Sequence, residues 1–334
     1  MRNKVLIEQE ETLRAHLTSQ GVNLFLGAGF SVLANDSKGR GLPLVRQLRD
    51  ELVAEFKQDS LKSLDLDRLY DVLHRKDAKS VESYLTSRFT VASFNEKYES
   101  LRNVIIDSII ITNIDNLIQR IYADNADCYI HDMVASGARH RDSAAIDFIP
   151  LHGHVTHSEP HYTFGTTDLA TAFARDPDKF RFLTERLQRK PIIFWGFSLR
   201  DPGPLQALDS RTIAGRTSKE RWIVLDKPED GAEEYYRSQN FFVIRADTES
   251  ILDYFSKFHN QKTERISGLP TSLKTARIPT IGEVSTRPLA SFFRGDPPIW
   301  HDALSNRMPH TSHYTFLSNR VHRTASRIAL SHPA

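Results

Sequence analysis

The chain has 334 residues, 40% hydrophobic and 26% charged, with a formal net charge of +2. That balance is ordinary for a soluble globular protein, and the length suits one large domain with an appendage, or two domains. Cys128 is the only cysteine, which excludes an internal disulfide and any zinc site built from four cysteines or from three cysteines and a histidine.

No run of about 18 apolar residues is available to span a bilayer. The N-terminal MRNKVLIEQEET turns acidic where a secretion signal needs its apolar core, so no membrane partner and a cytoplasmic location are expected. Residues 271 to 334 hold eight Lys and Arg against three Asp and Glu, leaving about −3 on the first 270 residues. The basic residues of this tail lie among Pro, Ser, Thr and His without a helical stripe or interleaved aromatics, so nucleic acid is not an expected partner.

Helix formers from 7 to 19 precede Gly21 and predict a first helix. Val22 to Leu26 has the pattern of a buried strand and runs directly into Gly27-Ala28-Gly29-Phe30-Ser31. The turn reads as a phosphate cradle, because missing side chains at Gly27 and Gly29 let backbone N–H groups approach an anion. The same residues also suit an ordinary tight strand-to-helix turn.

From Leu44 to about Leu101 the spacing becomes helical. Leu48, Leu52 and Phe56, then Leu66, Leu69, Tyr70 and Leu73, then Val81, Tyr84, Leu85 and Phe89 form successive apolar stripes, a helical insertion (about 44–101) whose stripes read as core. Ser108 to Thr112 (SIIIT) returns to a β-branched strand, followed by Asn113 and Asp115 ahead of the amphipathic Leu117 to Tyr122. Phe148 to Leu151 is the next apolar segment and ends at His152-Gly153.

Two helices are expected between Thr167 and Arg189. A strand at Ile192 to Trp195 then ends at Gly196-Phe197-Ser198, with Asp201-Pro202 resembling an N-cap and N1 proline. Strands at Trp222 to Leu225 and Phe241 to Ile244, with helices at about 229–239 and 249–259, continue the alternation. Continuously apolar strands alternating with helices predict an α/β, Rossmann-like, mainly parallel sheet with helices on both faces. Ligands of such sheets bind at the carboxyl ends of the strands near a topological switch point, and Gly27, Asn113, His152 and Gly196 fall at such ends.

Beyond about Lys262 the pattern fades, and six of the fifteen prolines lie from residue 271 onward. The expected organisation is a domain over 1–262, a linker over 263–290 and an irregular C-terminal extension over 291–334.

Val32 occupies the last position of a would-be G-x-G-x-x-G or G-x-G-x-x-A fingerprint. A β-branched residue there hinders the close helix-to-strand approach of hydride-transfer enzymes. No G-x-x-x-x-G-K-[ST] phosphate loop occurs in the chain.

Taken in order, Gly27-Ala28-Gly29-Phe30-Ser31, Thr112-Asn113-Ile114-Asp115, His152-Gly153 and Gly196-Phe197-Ser198-Leu199 resemble the NAD-binding core of the sirtuin superfamily over roughly residues 15 to 260. The pattern is most similar to sirtuin-like (silent information regulator two-like) effector domains of bacterial antiphage defence proteins. The chain departs from protein-deacylating sirtuins, because it lacks their zinc cysteines and carries neither Asp-Phe nor the expected Arg around Gly41-Leu42-Pro43.

The resemblance therefore implies NAD glycohydrolysis to nicotinamide and ADP-ribose as an abortive-infection response. NAD would be the substrate, no metal would be required, and activation would involve a homo-oligomer or a partner. It implies that Asn113 holds the nicotinamide ribose and orients the attacking water, that Asp115 engages the carboxamide or the nearby network, and that His152 acts as base. Gly27, Ala28, Gly29 and Ser31 would bind the pyrophosphate, Thr112 would belong to the same NAD-binding set, and Gly196 with Ser198 would contact the adenosine side.

Structural alternatives stand beside these roles: Asp115 as a helix cap, Asn113 as a turn residue, His152 as a satisfied core histidine. For the whole chain the alternatives are a non-catalytic module that binds NAD or ADP-ribose, and an NAD-dependent deacylase. His152, His154, His157 and His161 cluster in sequence but fit no standard zinc spacing. Phe292 to Tyr314 also resembles the segment that precedes the nucleoside-triphosphatase module of antiviral signal-transduction ATPases. That resemblance implies an attached ATPase or sensor module and a phage-derived trigger.

Overall fold

The structure is a computed structural model describing residues 5–125, 128–136, 145–157, 162–165, 176–196 and 220–259. By packing, the chain divides into Met1–Ser267 and Gly268–Ala334, and every described residue belongs to the first unit. The expected linker, the C-terminal extension, the helix ahead of residue 176, His161 and the segment from Phe197 through Ser198 to Pro202 lie outside the described residues.

Eight strands make the main sheet: β1 Leu6–Ile7, β2 Val22–Leu26, β5 Ile106–Ile111, β6 Tyr129–Asp132, β7 Ala145–Pro150, β8 Ile192–Trp195, β9 Arg221–Leu225 and β10 Phe242–Arg245. The two-residue strands β3 (Ala34–Asn35) and β4 (Ser93–Phe94) pair with each other instead. The sheet order is β1-β10-β9-β8-β2-β5-β7-β6, and only the β1–β10 edge pair is antiparallel. From β2 the chain passes to β5, then to the edge at β6, returns to fill the place between them with β7, and crosses to the other side of β2 to lay down β8. The switch point is therefore at β2 and β8.

β2 is central because all five of its residues are buried, and successive side chains supply opposite faces. Leu24 and Leu26 join Ile109, Ile111, Phe148 and Trp195 on one face, whereas Phe25 joins Ile110, Ile149 and Phe194 on the other. The first face is covered by α1 (Glu10–Ala15), α4 (Leu117–Tyr122) and α8 (Thr248–Ser256). The second is covered by α5 (Met133–Ser136), α6 (Pro177–Arg189) and α7 (Ala232–Ser238). The fold is thus α/β and Rossmann-like, with helices on both faces.

Between β3 and β4 lie α2 (Val45–Glu55) and α3 (Leu66–Phe89), which share a separate core of Leu48, Leu52, Leu69, Leu73, Leu85 and Phe89. The two stripes read in the sequence of α3 belong to two helical stretches that break at Asp77, where φ is −156° and ψ is 81°. The Asp77 carboxylate starts the second stretch by accepting from Ser80 N and Oγ.

The predicted helix over 7–19 is shorter than its composition suggests. Leu6–Ile7 adds an edge strand, α1 covers only Glu10–Ala15, and His16–Gln20 winds more widely into a π-helical turn. That turn closes with Gly21 N donating to His16 O at 2.8 Å. The edge strand forms because Trp222 Nε1 and Val243 N donate to Glu8, pinning this stretch to the sheet.

Candidate functional site

Strand register brings the sequence motifs together. Trp195, Leu26, Ile111 and Pro150 form one row across four adjacent parallel strands. The residues that follow them are Gly196, Gly27, Thr112 and Leu151, with Asn113 and His152 one step further. The ladder continues past the strand ends, with Gly27 N donating to Trp195 O (2.9 Å), Thr112 N to Leu26 O (3.0 Å) and Leu151 N to Ile111 O (2.8 Å).

The turn after β2 packs directly on the turn after β8, with Gly29 N donating to Gly196 O at 3.1 Å. A Cβ on Gly29 would lie 2.8 Å from Gly196 Cα, and one on Gly196 only 2.2 Å from Phe30 N. Gly196 also has φ +70°, a conformation that favours glycine. The amides of Gly27, Gly29, Phe30 and Ser31 all bond to backbone carbonyls. Gly29 and Gly196 therefore bring turn against turn, and these bonds fix the backbone at the ends of β2 and β8.

Asn113, Ser31 and Asp115 form a buried chain of hydrogen bonds. Asn113 Nδ2 donates to Gly27 O and to Ser31 Oγ, both at 3.1 Å, and Ser31 Oγ donates to Asp115 Oδ2 at 2.9 Å. With both amide hydrogens used, Asn113 has Oδ1 left to accept from a bound hydroxyl or water. Asp115 is 3% exposed and sits behind Ser31, where its Oδ1 also accepts from Leu117 N at the start of α4 (3.0 Å). The N-cap position of α4 is Asn116, so this bond lies just ahead of the helix. Ile114, between them, turns the other way into the α2–α3 core.

Burial raises the Asp115 pKa above the ordinary carboxylate value, against hydrogen bonds from Leu117, Ser31 and Asn113 that lower it. A raised folded-state value means that stability is fully present below the unfolded value of 3.8 and is lost as pH rises through the folded value. Relative to Asp115→Asn, the wild-type chain should therefore lose stability as pH rises above the unfolded value of 3.8. Urea midpoints measured at a series of pH values above that point check this, and a pH-independent difference between the two proteins would overturn it.

His152 is half-buried beside Phe164, with ring centroids 6.4 Å apart, and its carbonyl accepts from Thr163 N at 3.0 Å. The neighbouring histidines have other partners. His154 is fully buried, with Nδ1 on Thr156 Oγ1 at 2.7 Å, and burial lowers its pKa to about 4, so it is neutral near pH 7. His157 Nε2 pairs with Asp132 Oδ2 at 2.8 Å. Among the described residues no group of three or more His, Cys, Asp and Glu side chains is placed to hold a metal ion, and no described helix is long and apolar enough to cross a membrane.

Two supports of the turn escaped the sequence reading. Thr248 Oγ1 donates to Gly29 O (2.8 Å) and accepts from Trp195 Nε1 (3.1 Å), and Tyr98 OH donates to Phe30 O. The only signal for the first was Asp247, which caps α8 through Ser250 N and so places Thr248 at the helix start. Ser198, the remaining candidate residue, lies outside the described residues.

A search of the curated proteins returns no match to this chain. Residues 107–244 match the family model described as SIR2-like domain, a span that begins in β5, so β2 and its glycine turn precede it. The span takes in Asn113, Asp115, His152 and Gly196, and the chain accordingly carries a sirtuin-like domain.

Proposed function

We propose that the crevice at the ends of β8, β2, β5 and β7 hydrolyses NAD at the nicotinamide–ribose bond, giving nicotinamide and ADP-ribose. The coarser statement, an NAD-related function of sirtuin type, follows from the SIR2-like match. The observation that supports the finer one is the fixed Asn113 amide, two residues past the end of β5 and beside the switch point, whose two donor bonds leave Oδ1 as an acceptor.

Cleavage develops positive charge on the ribose while a neutral leaving group departs, so positioning and a nucleophile suffice without strong acid catalysis. In this reading Asn113 Oδ1 orients a water, and His152 takes its proton as the water oxygen bonds to the anomeric carbon and the bond from that carbon to the nicotinamide nitrogen breaks. Ser31 and Asp115 hold Asn113 in place. Gly27, Ala28, Gly29, Ser31 and Thr112 line the pyrophosphate side, and Gly196 with Ser198 the adenosine side. The motif resemblance is what supports an antiphage, abortive-infection setting and activation by self-assembly or an attached sensor.

Chromatography of products after incubating NAD with the protein at several concentrations tests the proposal. Nicotinamide and ADP-ribose should appear in equal amounts, rising more steeply than in proportion to protein if assembly activates the site. Saturable NAD binding without turnover at any concentration would replace the hydrolase with a binding module, and NAD-dependent deacylation of acetyl-lysine peptides would replace it with a deacylase.

A further inference from the structure

Residues 31–42 run from the glycine turn toward α2, and a side chain from outside this loop holds its shape. Arg88 of α3 is 2% exposed. Its Nη1 donates to Asp36 Oδ2 at 3.2 Å and its Nη2 to the Gly41 carbonyl at 2.7 Å. On its other side, Nε and Nη2 fork onto the Glu51 carboxylate of α2 at 2.7 and 2.9 Å.

Asp36, 3% exposed, also accepts from the Lys38 and Arg40 amides and from the Arg40 guanidinium. The loop is tied to the crevice as well. Ala34 N donates to Ser31 O (3.1 Å) and Ala92 N to Asn35 O (2.9 Å), while Val91 N donates to Oδ1 of Asn116, the residue after Asp115 (2.8 Å).

A planar guanidinium suits this place because it meets two loop acceptors, at residues 36 and 41, and the Glu51 carboxylate on its other side at once, which a lysine ammonium cannot reproduce. We propose that Arg88 is a positioning residue: through Asp36 and the Gly41 carbonyl it fixes loop 31–42 in the shape that completes the nucleotide side of the crevice. It makes no contact with the substrate itself. The proposal rests on the NAD reading of the site.

The test compares Arg88→Ala, Arg88→Lys and Glu51→Gln with the wild-type chain by amide hydrogen exchange and NAD kinetics. Arg88→Ala should speed exchange selectively over residues 34–42 and raise KM for NAD by about tenfold or more, with a smaller change in kcat. Arg88→Lys should recover part of both effects. Glu51→Gln, which leaves both loop contacts in place, should do less than either.

Faster exchange throughout the domain, or faster loop exchange with unchanged KM, would reduce Arg88 to a structural residue and overturn the proposal. If Arg88→Ala does not fold, the same readings on Arg88→Lys decide. A wild-type chain that neither binds nor cleaves NAD would fail the NAD reading, while exchange over 34–42 would still report whether Arg88 holds the loop.

Discussion

Replacing Asn113 or His152 with alanine should lower NAD turnover by about 10²- to 10⁴-fold, the range expected when a positioned proton-transfer or water-orienting group is removed. In barrier terms this is about 2.7–5.5 kcal/mol. Because Asn113 is held by Gly27 O and Ser31 Oγ, Asn113→Asp is the sharper variant. It keeps an oxygen toward the crevice but sets a carboxylate against the Gly27 carbonyl, so it should also lose most turnover. Single-turnover rates with NAD check the series, and either alanine variant retaining near wild-type turnover would remove that residue from the mechanism.

Gly196→Ala should be among the most destabilising single-methyl additions in the domain. Its Cβ would lie 2.2 Å from Phe30 N, and its φ of +70° is one an alanine adopts at a cost. Overpacking of a tight contact costs about 1–3 kcal/mol and a left-handed non-glycine residue a further 1–3 kcal/mol, roughly.

Two other glycines separate these contributions. Gly39 has φ +73° with nothing within 4 Å of where a Cβ would sit, so Gly39→Ala carries the backbone cost alone. Gly29→Ala meets Gly196 Cα at 2.8 Å without a positive φ and carries the contact cost alone. Urea denaturation of the three variants should place Gly196→Ala lowest. Equal stability of Gly196→Ala and Gly39→Ala would mean that the two turns separate freely.

Much of the architecture was legible in the chain because a strand buried on both faces has to be continuously apolar. Leu24–Leu26 and Ile192–Trp195 announce themselves in that way, and a motif that follows such a strand lies at the strand's carboxyl end. Strands of two residues, and β6 with its half-exposed Tyr129-Ile130-His131-Asp132, carry no such signature. The break at Asp77 was visible only as a gap between two apolar stripes.

The sequence by itself determined the doubly wound class and the placing of Gly27, Asn113, His152 and Gly196 at strand ends, because periodicity and buried runs are local properties. Only the tertiary structure decided that Gly29 is small because Gly196 presses on it, that Asp115 lies behind Ser31, that Thr248 carries the Gly29 carbonyl, and that Arg88 spans Asp36 and Gly41. Each depends on contacts between distant parts of the chain, such as Ser31 and Asp115, 84 positions apart. Strand order and register set those contacts, and no local pattern of residues encodes them.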